Sequence, residues 1–312
     1  MSQHLLAIRH LEATDITELL NVAAAYKEAV TSREPLKGIE PKVIGLLLFE
    51  NSTRTRVSFE QAANYLGYRM VNFSGTGSSM SKGETLKDTI LTLRYERLEG
   101  LVIRHRSSGG ATLAAKYFGG PVVNAGDGQH EHPTQALGDA LTILERKGDI
   151  QGLTVAIVGD VLHSRVARSN AWLLHKLGAD VRFVGPRTLI PSHTGKLPGS
   201  VFYDLPSGLA GADVVMCLRL QKERMTDGLL SSVGEYRRLY QINRQTLRYA
   251  DSEAIVLHPG PLNRGIEVDD SVADSEASCV NDQVSNGIFV KMAVLTWMYQ
   301  DPQSSGNGEG GE

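Results

Sequence analysis

Hydroxyls and positive charge crowd the end of an apolar run at residues 46–60, LLLFENSTRTRVSFE. Ser52, Thr53 and Thr55 supply hydroxyls and Arg54 a guanidinium, where the spacing of Phe59, Ala62, Ala63 and Leu66 predicts the start of a helix. The first N–H groups of a helix lack intrahelical acceptors and point beyond its N-terminus. Together with the positive end of the helix dipole they make a cradle for phosphate. An ordinary helix cap needs one hydroxyl. Three hydroxyls and a guanidinium indicate an oxyanion ligand. Arg56 lies two residues further into the helix and is expected to point elsewhere and brace the fold.

Comparable groups recur after one apolar run after another. Arg104 and His105 follow LEGLVI, His132 and Gln135 follow PVVNAG, and Arg165 follows LTVAIVGD. Arg219 and Gln221 follow VVMCL, and HPGPLNR follows EAIVL. Open α/β sheets bind ligands beyond the carboxyl ends of their strands. The planar guanidinium fork matches carboxylate and phosphate bidentately. Solvated arginines scattered over a surface would bear no relation to strand ends. Donors at each strand mouth predict a pocket for one or two ligands with several negative charges.

The elements that must position these groups alternate. Thr14 or Asp15 can cap a first helix bearing Ile16, Leu19, Leu20 and Ala23. Strands are predicted over 43–49, YRMVNF, LEGLVIR and PVVNAG, with helices between them and a long helix from Pro133. A second alternation begins after KGDIQG, residues 147–152, with LTVAIVGD, ADVRFVG, ADVVMCLR and EAIVLHPG as strands. The helix NGIFVKMAVLTWMY is apolar nearly all round and should be buried. The expected fold is α/β, two similar parallel-sheet domains with the active site between them. The domains are placed at 1–147, completed by a C-terminal helix over 285–300, and at 148–284. The Gly/Ser-rich tail 301–312 is expected to be disordered.

Several function classes fall away. The 312-residue chain is 41% hydrophobic with net charge −3, without the basic balance of a nucleic-acid binder. No apolar stretch is long enough to span a bilayer, and the N-terminus lacks a signal peptide's core. Cys217 and Cys279 form no C-x-x-C pair, so neither a zinc ribbon nor a redox motif is suggested, and a reducing cytoplasm fits. IVGDVLHSR has one glycine, Gly159, where a dinucleotide fingerprint needs three, and the next strand lacks the acidic ribose ligand. His130 and His132 form too sparse a pair for a metal; His132 is the expected donor and His130 a solvated loop residue. No nucleophile elbow or Walker A lysine is present. Lys82 sits in the Ser/Gly loop SSMSKGE as an anion-seeking arm or a solvated lysine. No cofactor and no metal are expected.

Over residues 4–300 the chain resembles the catalytic chains of the aspartate carbamoyltransferase family. FENSTRTRVSFE and HPTQ mark carbamoyltransferases, and SKGET, RLQKER and HPGPLNR the aspartate branch. The ornithine branch would carry an S-M-G segment and an H-C-L-P motif; Met-Gly is absent and His258 precedes Pro259. Lys291 stands where the family more often has arginine.

The resemblance implies roles. Ser52, Thr53, Arg54 and Thr55 would bind the phosphate of carbamoyl phosphate. Arg104, His132 and Gln135 would hold its carbamoyl end, with Gly260 and Pro261 contacting it through the backbone. Arg165, Arg219 and Gln221 would take the carboxylates of L-aspartate. Ser78 and Lys82 would reach in from the adjacent subunit of a homotrimer, alone or in a larger assembly with regulatory or dihydroorotase chains. The 220–245 segment would be the loop that moves on closure. The reaction implied is carbamoyl transfer to the aspartate amine, an early step of pyrimidine biosynthesis, without a covalent intermediate. An acceptor such as ornithine is the alternative.

Overall fold

The computed structural model describes residues 3–74, 83–192, 197–221, 229 and 232–300. Helix α1 (Ala13–Thr31) opens the chain. Asp15 does not cap it as expected: its carboxylate reaches back to accept from Glu12 N–H at 2.8 Å. The acid therefore serves from inside the first turn, as in half of a capping box.

Strands β1 (Val43–Leu48), β2 (Arg69–Ser74), β3 (Gly100–His105) and β4 (Val122–Asp127) alternate with α2 (Thr53–Leu66), α3 (Leu86–Tyr95) and α4 (Gly110–Phe118). β4 leads into α5 (Pro133–Lys147), with Pro133 as its first residue. β4 is buried along its whole length and β1 along all but its first residue. Burial on both faces suits a parallel sheet, and the order is β2-β1-β3-β4 with every pairing parallel. Leu47, Ile90, Leu101, Ile103 and Phe118 meet in its core. Lys291 adds a cation 5.4 Å from the Phe59 ring and donates to Gly287 O at 2.8 Å.

The second alternation gives β5 (Thr154–Val158), α6 (Arg165–Lys176), β6 (Asp180–Val184), β7 (Ser200–Phe202), α7 (Leu205–Leu209), β8 (Val214–Cys217), α8 (Val233–Tyr240), β9 (Ile255–Leu257), α9 (Asp270–Ala273) and α10 (Val280–Trp297). These strands also pair in parallel, in the order β7-β6-β5-β8-β9. α10 starts before the predicted 285: its first turn carries Gln283, which is buried by hydrogen bonding and invisible to an apolar pattern. The charged 220–245 stretch, expected to be a loop, is described at 220–221, 229 and 232–245. Its described part contains α8, whose Tyr236 and Tyr240 lie one turn apart and pack in the core beside Leu220 and Ile242.

The chain divides into two compact units. One comprises 1–10, 17–134 and 287–312; the other comprises 11–16 and 135–286. In the first sheet the chain runs from β1 outward to β2, then crosses to the other side of β1 for β3. In the second it runs from β5 to β6 and β7, then crosses to β8. Loops therefore leave β1 and β3 in opposite directions, as do those after β5 and β8. Each such reversal opens a crevice at the carboxyl edge of a parallel sheet, the position where these sheets bind ligands.

Candidate active site

In the first unit, the crevice between β1 and β3 holds the hydroxyl packet. Ser52 is the N-cap of α2, with φ −155° and ψ 100°. Its Oγ accepts from Thr55 N–H at 3.3 Å and donates to Thr55 Oγ1 at 2.8 Å. Thr55 is buried, whereas Thr53, Arg54 and Arg56 are exposed. Arg56 therefore reaches solvent rather than the core.

Arg104, near the end of β3, brings three expected site residues together. Its Nη1 donates to Thr55 Oγ1 at 3.3 Å and to Ala125 O at 3.4 Å, and lies 3.3 Å from His132 Nε2. Its Nε is 3.2 Å from Glu50 Oε2. A hydroxyl has two acceptor sites and one proton. Ser52 and Arg104 fill the acceptor sites of Thr55, which leaves its proton to donate into the crevice. The corner thus gathers donors around buried oxygen, with Arg54 exposed on the first turn of the helix.

His130 is a correction to the expected solvated loop residue. It is half-buried, with Nδ1 3.1 Å from Asp127 Oδ1. Burial alone would raise the Asp127 carboxyl, but hydrogen bonds from His130, Asn124 and Gly109 N–H outweigh it and hold the group below its usual value. Among the described residues no cluster of three or more His, Cys, Asp or Glu side chains could hold a metal.

In the second unit, Gln135 donates its Nε2 to Asp139 Oδ1 at 2.8 Å. Asp139, fully buried, also accepts from Gln283 at 2.7 Å and from Asn170 at 2.8 Å. A carboxylate only accepts, so the Gln135 amide is fixed with its NH₂ inward and its carbonyl oxygen left to accept.

The crevice between β5 and β8 is built from Gly159 onward. Gly159 has φ +122°, and a Cβ on it would lie 2.7 Å from Tyr236 Oη. The lone glycine of IVGDVLHSR therefore serves a close approach of α8, not a nucleotide. Next come Asp160 and His163, both buried, with His163 Nδ1 2.8 Å from Asp160 Oδ1. Burial pushes the Asp160 carboxyl up against the pull of His163. Ser164 caps α6 and accepts from Ala167 N–H, and buried Arg165 begins the helix. Across the crevice Gln221 donates to His163 O at 3.3 Å, with half-buried Arg219 two residues before it. After β9, His258 Nδ1 accepts from Gly260 N–H at 2.9 Å, and the Gly260–Pro261 peptide is cis. Glu267 lies beneath. Burial would raise its carboxyl, but hydrogen bonds from His258, Leu220 N–H and Asn263 hold it below its usual value. Ser78 and Lys82 fall outside the described residues.

Models of the aspartate/ornithine carbamoyltransferase family match the chain twice: the carbamoyl-P binding domain over residues 3–145 and the Asp/Orn binding domain over 151–298. The aspartate carbamoyltransferase catalytic subunit of Granulibacter bethesdensis is 51% identical over 297 residues, covering 94% of this chain and 93% of that one. That of Brucella canis is 49% identical over 310 residues, covering 98% and 96%. The chain belongs to the aspartate carbamoyltransferase family. Solved relatives share the fold. Trypanosoma cruzi aspartate transcarbamoylase with N-(phosphonacetyl)-L-aspartic acid superposes with TM-score 0.86 at 32% identity, covering 94% and 95%. Pyrococcus furiosus ornithine carbamoyltransferase gives 0.85 at 29%, covering 95% and 96%.

The sequence pointed to Arg104 and Gln135 but not to the carboxylates that hold them. Glu50 stands two residues before Ser52 and pairs with Arg104. Asp139 lies four residues after Gln135, the spacing of one helical turn. That spacing was a usable signal. Nothing local marks Glu267, which acts across 47 residues on Leu220.

Proposed function

We propose that this chain transfers the carbamoyl group of carbamoyl phosphate to the α-amine of L-aspartate, releasing phosphate, as an early step of pyrimidine biosynthesis. The observation that carries the reading is the convergence of Thr55 and His132 on one guanidinium nitrogen of Arg104 at the β1–β3 crevice. In this reading residues 1–147 with 285–300 form the carbamoyl phosphate domain, and residues 148–284 the aspartate domain. Ser52, Thr53, Arg54 and Thr55 take the phosphate. Negative charge builds on the carbonyl oxygen as the amine attacks; Thr55 and Arg104 stabilise it, and His132 holds the Arg104 guanidinium through Nε2. One such donor is worth about 3 kcal/mol of barrier. Gln135, its carbonyl oxygen free to accept, together with the backbone at Gly260 and Pro261, takes the carbamoyl NH₂. Arg165, Arg219 and Gln221 bind the two carboxylates of aspartate.

The two substrates carry about four negative charges. Arg54, Arg104, Arg165, Arg219 and Lys82 oppose them. Holding two small anions side by side supplies orientation, itself a large share of the barrier reduction. The departing phosphate is the natural acceptor for the amine proton. The enzyme works as a cytoplasmic homotrimer in which Ser78 and Lys82 complete a neighbour's site. The free, buried Cys217 and Cys279 suit a reducing compartment, and no helix among the described residues is long and apolar enough to cross a membrane. Carbamoyl phosphate incubated with aspartate or with ornithine tests the reading. Ureido product from aspartate supports it, and product from ornithine alone overturns the choice of acceptor.

A further inference from the structure

Glu267 takes no part in the chemistry above, yet it is 2% exposed and its carboxylate joins three separate stretches of chain. Oε1 accepts from Leu220 N–H at 2.7 Å and from Asn263 Nδ2 at 2.6 Å. Oε2 accepts from Asn263 N–H at 2.9 Å and lies 3.8 Å from His258 Nε2. His258 Nδ1 already accepts from Gly260 N–H, so its ring proton sits on Nε2, on the Glu267 side. Leu220 is the residue between Arg219 and Gln221 after β8. His258 and Asn263 bracket the Gly260–Pro261 turn after β9. Glu267 is itself anchored, its backbone carbonyl accepting from Ile242 N–H at 2.9 Å.

We propose that Glu267 is a positioning residue: its carboxylate fixes the β8 mouth bearing Arg219 and Gln221 against the β9 turn bearing Gly260 and Pro261. The inference rests on the assignment of Arg219 and Gln221 to the aspartate carboxylates. Two oxygens receiving three N–H donors hold both loops in one register. Glutamine keeps the shape but replaces one acceptor by an NH₂, which must face a donor and cannot bond it. An aliphatic side chain leaves all three donors buried without partners.

The test uses the full-length enzyme and compares Glu267→Gln, Arg219→Ala and the double variant. With Glu267→Gln the KM for aspartate should rise about tenfold, the scale of one lost charge-assisted hydrogen bond. Inhibition by inorganic phosphate, which is held in the other unit, should not change. In the Arg219→Ala background the same substitution should add little, because it acts through that loop. An unchanged aspartate KM in folded Glu267→Gln overturns the positioning role, as does full additivity with Arg219→Ala. If Arg219→Ala also leaves the aspartate KM unchanged, the assignment of Arg219 itself fails, which is a separate outcome. Should Glu267→Gln not fold, Asn263→Ala removes the side-chain donor and keeps the backbone one. It should raise the aspartate KM in the same direction, and no change would sink the proposal.

Discussion

Arg104 Nη1 stands 3.3 Å from His132 Nε2. A guanidinium has only donors, so the facing imidazole nitrogen is the acceptor and His132 carries its proton on Nδ1. The fork of Arg104 also reaches Thr55, Ala125 and Glu50, a span that a lysine ammonium cannot reproduce. Arg104→Lys should lower kcat by about 100-fold, as expected for a displaced oxyanion donor, with an unaltered circular dichroism spectrum. Near-normal turnover would show that charge alone suffices.

Ser52 performs two tasks, capping α2 and orienting the Thr55 hydroxyl. Ser52→Ala should cost about 1 kcal/mol of stability through the cap and raise the KM for carbamoyl phosphate. Aspartate is as good a cap as serine but repels phosphate. Ser52→Asp should therefore restore the melting temperature and worsen the KM. Parallel recovery of both would mean that Ser52 is a cap and nothing more.

Asp127 sets an acid-side limit on stability. Its folded pKa lies below the ordinary aspartate value of 3.8, so it stabilises the fold above that pH, and the contribution is lost as pH falls through the folded value. Asp127→Asn should melt earlier than the parent at neutral pH. The gap should narrow as the pH drops below 3.8. A gap of constant size across a pH series of thermal melts would rule out this carboxylate as the source.

A side chain at position 159 meets two obstacles, positive φ and the Tyr236 hydroxyl. Gly159→Ala should cost about 2 kcal/mol, within the range for backbone strain at such a position. Tyr236→Phe removes only the hydroxyl and should recover part of that loss. Complete recovery in denaturant titrations would leave no role for φ; none would leave no role for the contact.

Lys82 and Arg54 test whether sites are shared between subunits. In the proposed homotrimer, the Lys82→Ala and Arg54→Ala variants should each be nearly inactive. After dissociation and reassembly of the mixture, some sites would draw both intact residues from different chains, and activity should partly return. Mixed trimers as inactive as their parents would place both residues on one chain's site.

Strands β1, β3, β4, β5, β8 and β9 were legible in the sequence because they are short, largely apolar runs that the fold buries, whereas the three-residue strand β7, exposed or half-buried, was not anticipated. α4 could be read in the same way, from GATLAAKYF. Thr55, Arg104 and His132 could be singled out because each lies at or a few residues past the carboxyl end of a strand. Their partners were not. Glu50, Asp139 and Glu267 are common acids in polar stretches, and what makes them matter is a neighbour brought close by the fold. α8 was missed for a related reason: Tyr236 and Tyr240 are its two buried residues, too few to mark a period amid charges.

Both sheets reverse their strand order at the strand that opens the unit, and the proposed ligand groups described above lie at or beyond the carboxyl ends of strands, Arg104 being the next-to-last residue of β3. The covalent economy of this arrangement bears on how such enzymes diversify. Arg165, Arg219 and Gln221, proposed to bind aspartate, lie after β5 and β8 and outside the paired residues of the second sheet, so these groups can differ between relatives while the strand pairings stay the same. A relative built for ornithine that still superposes with TM-score 0.85 is what such a history would leave behind.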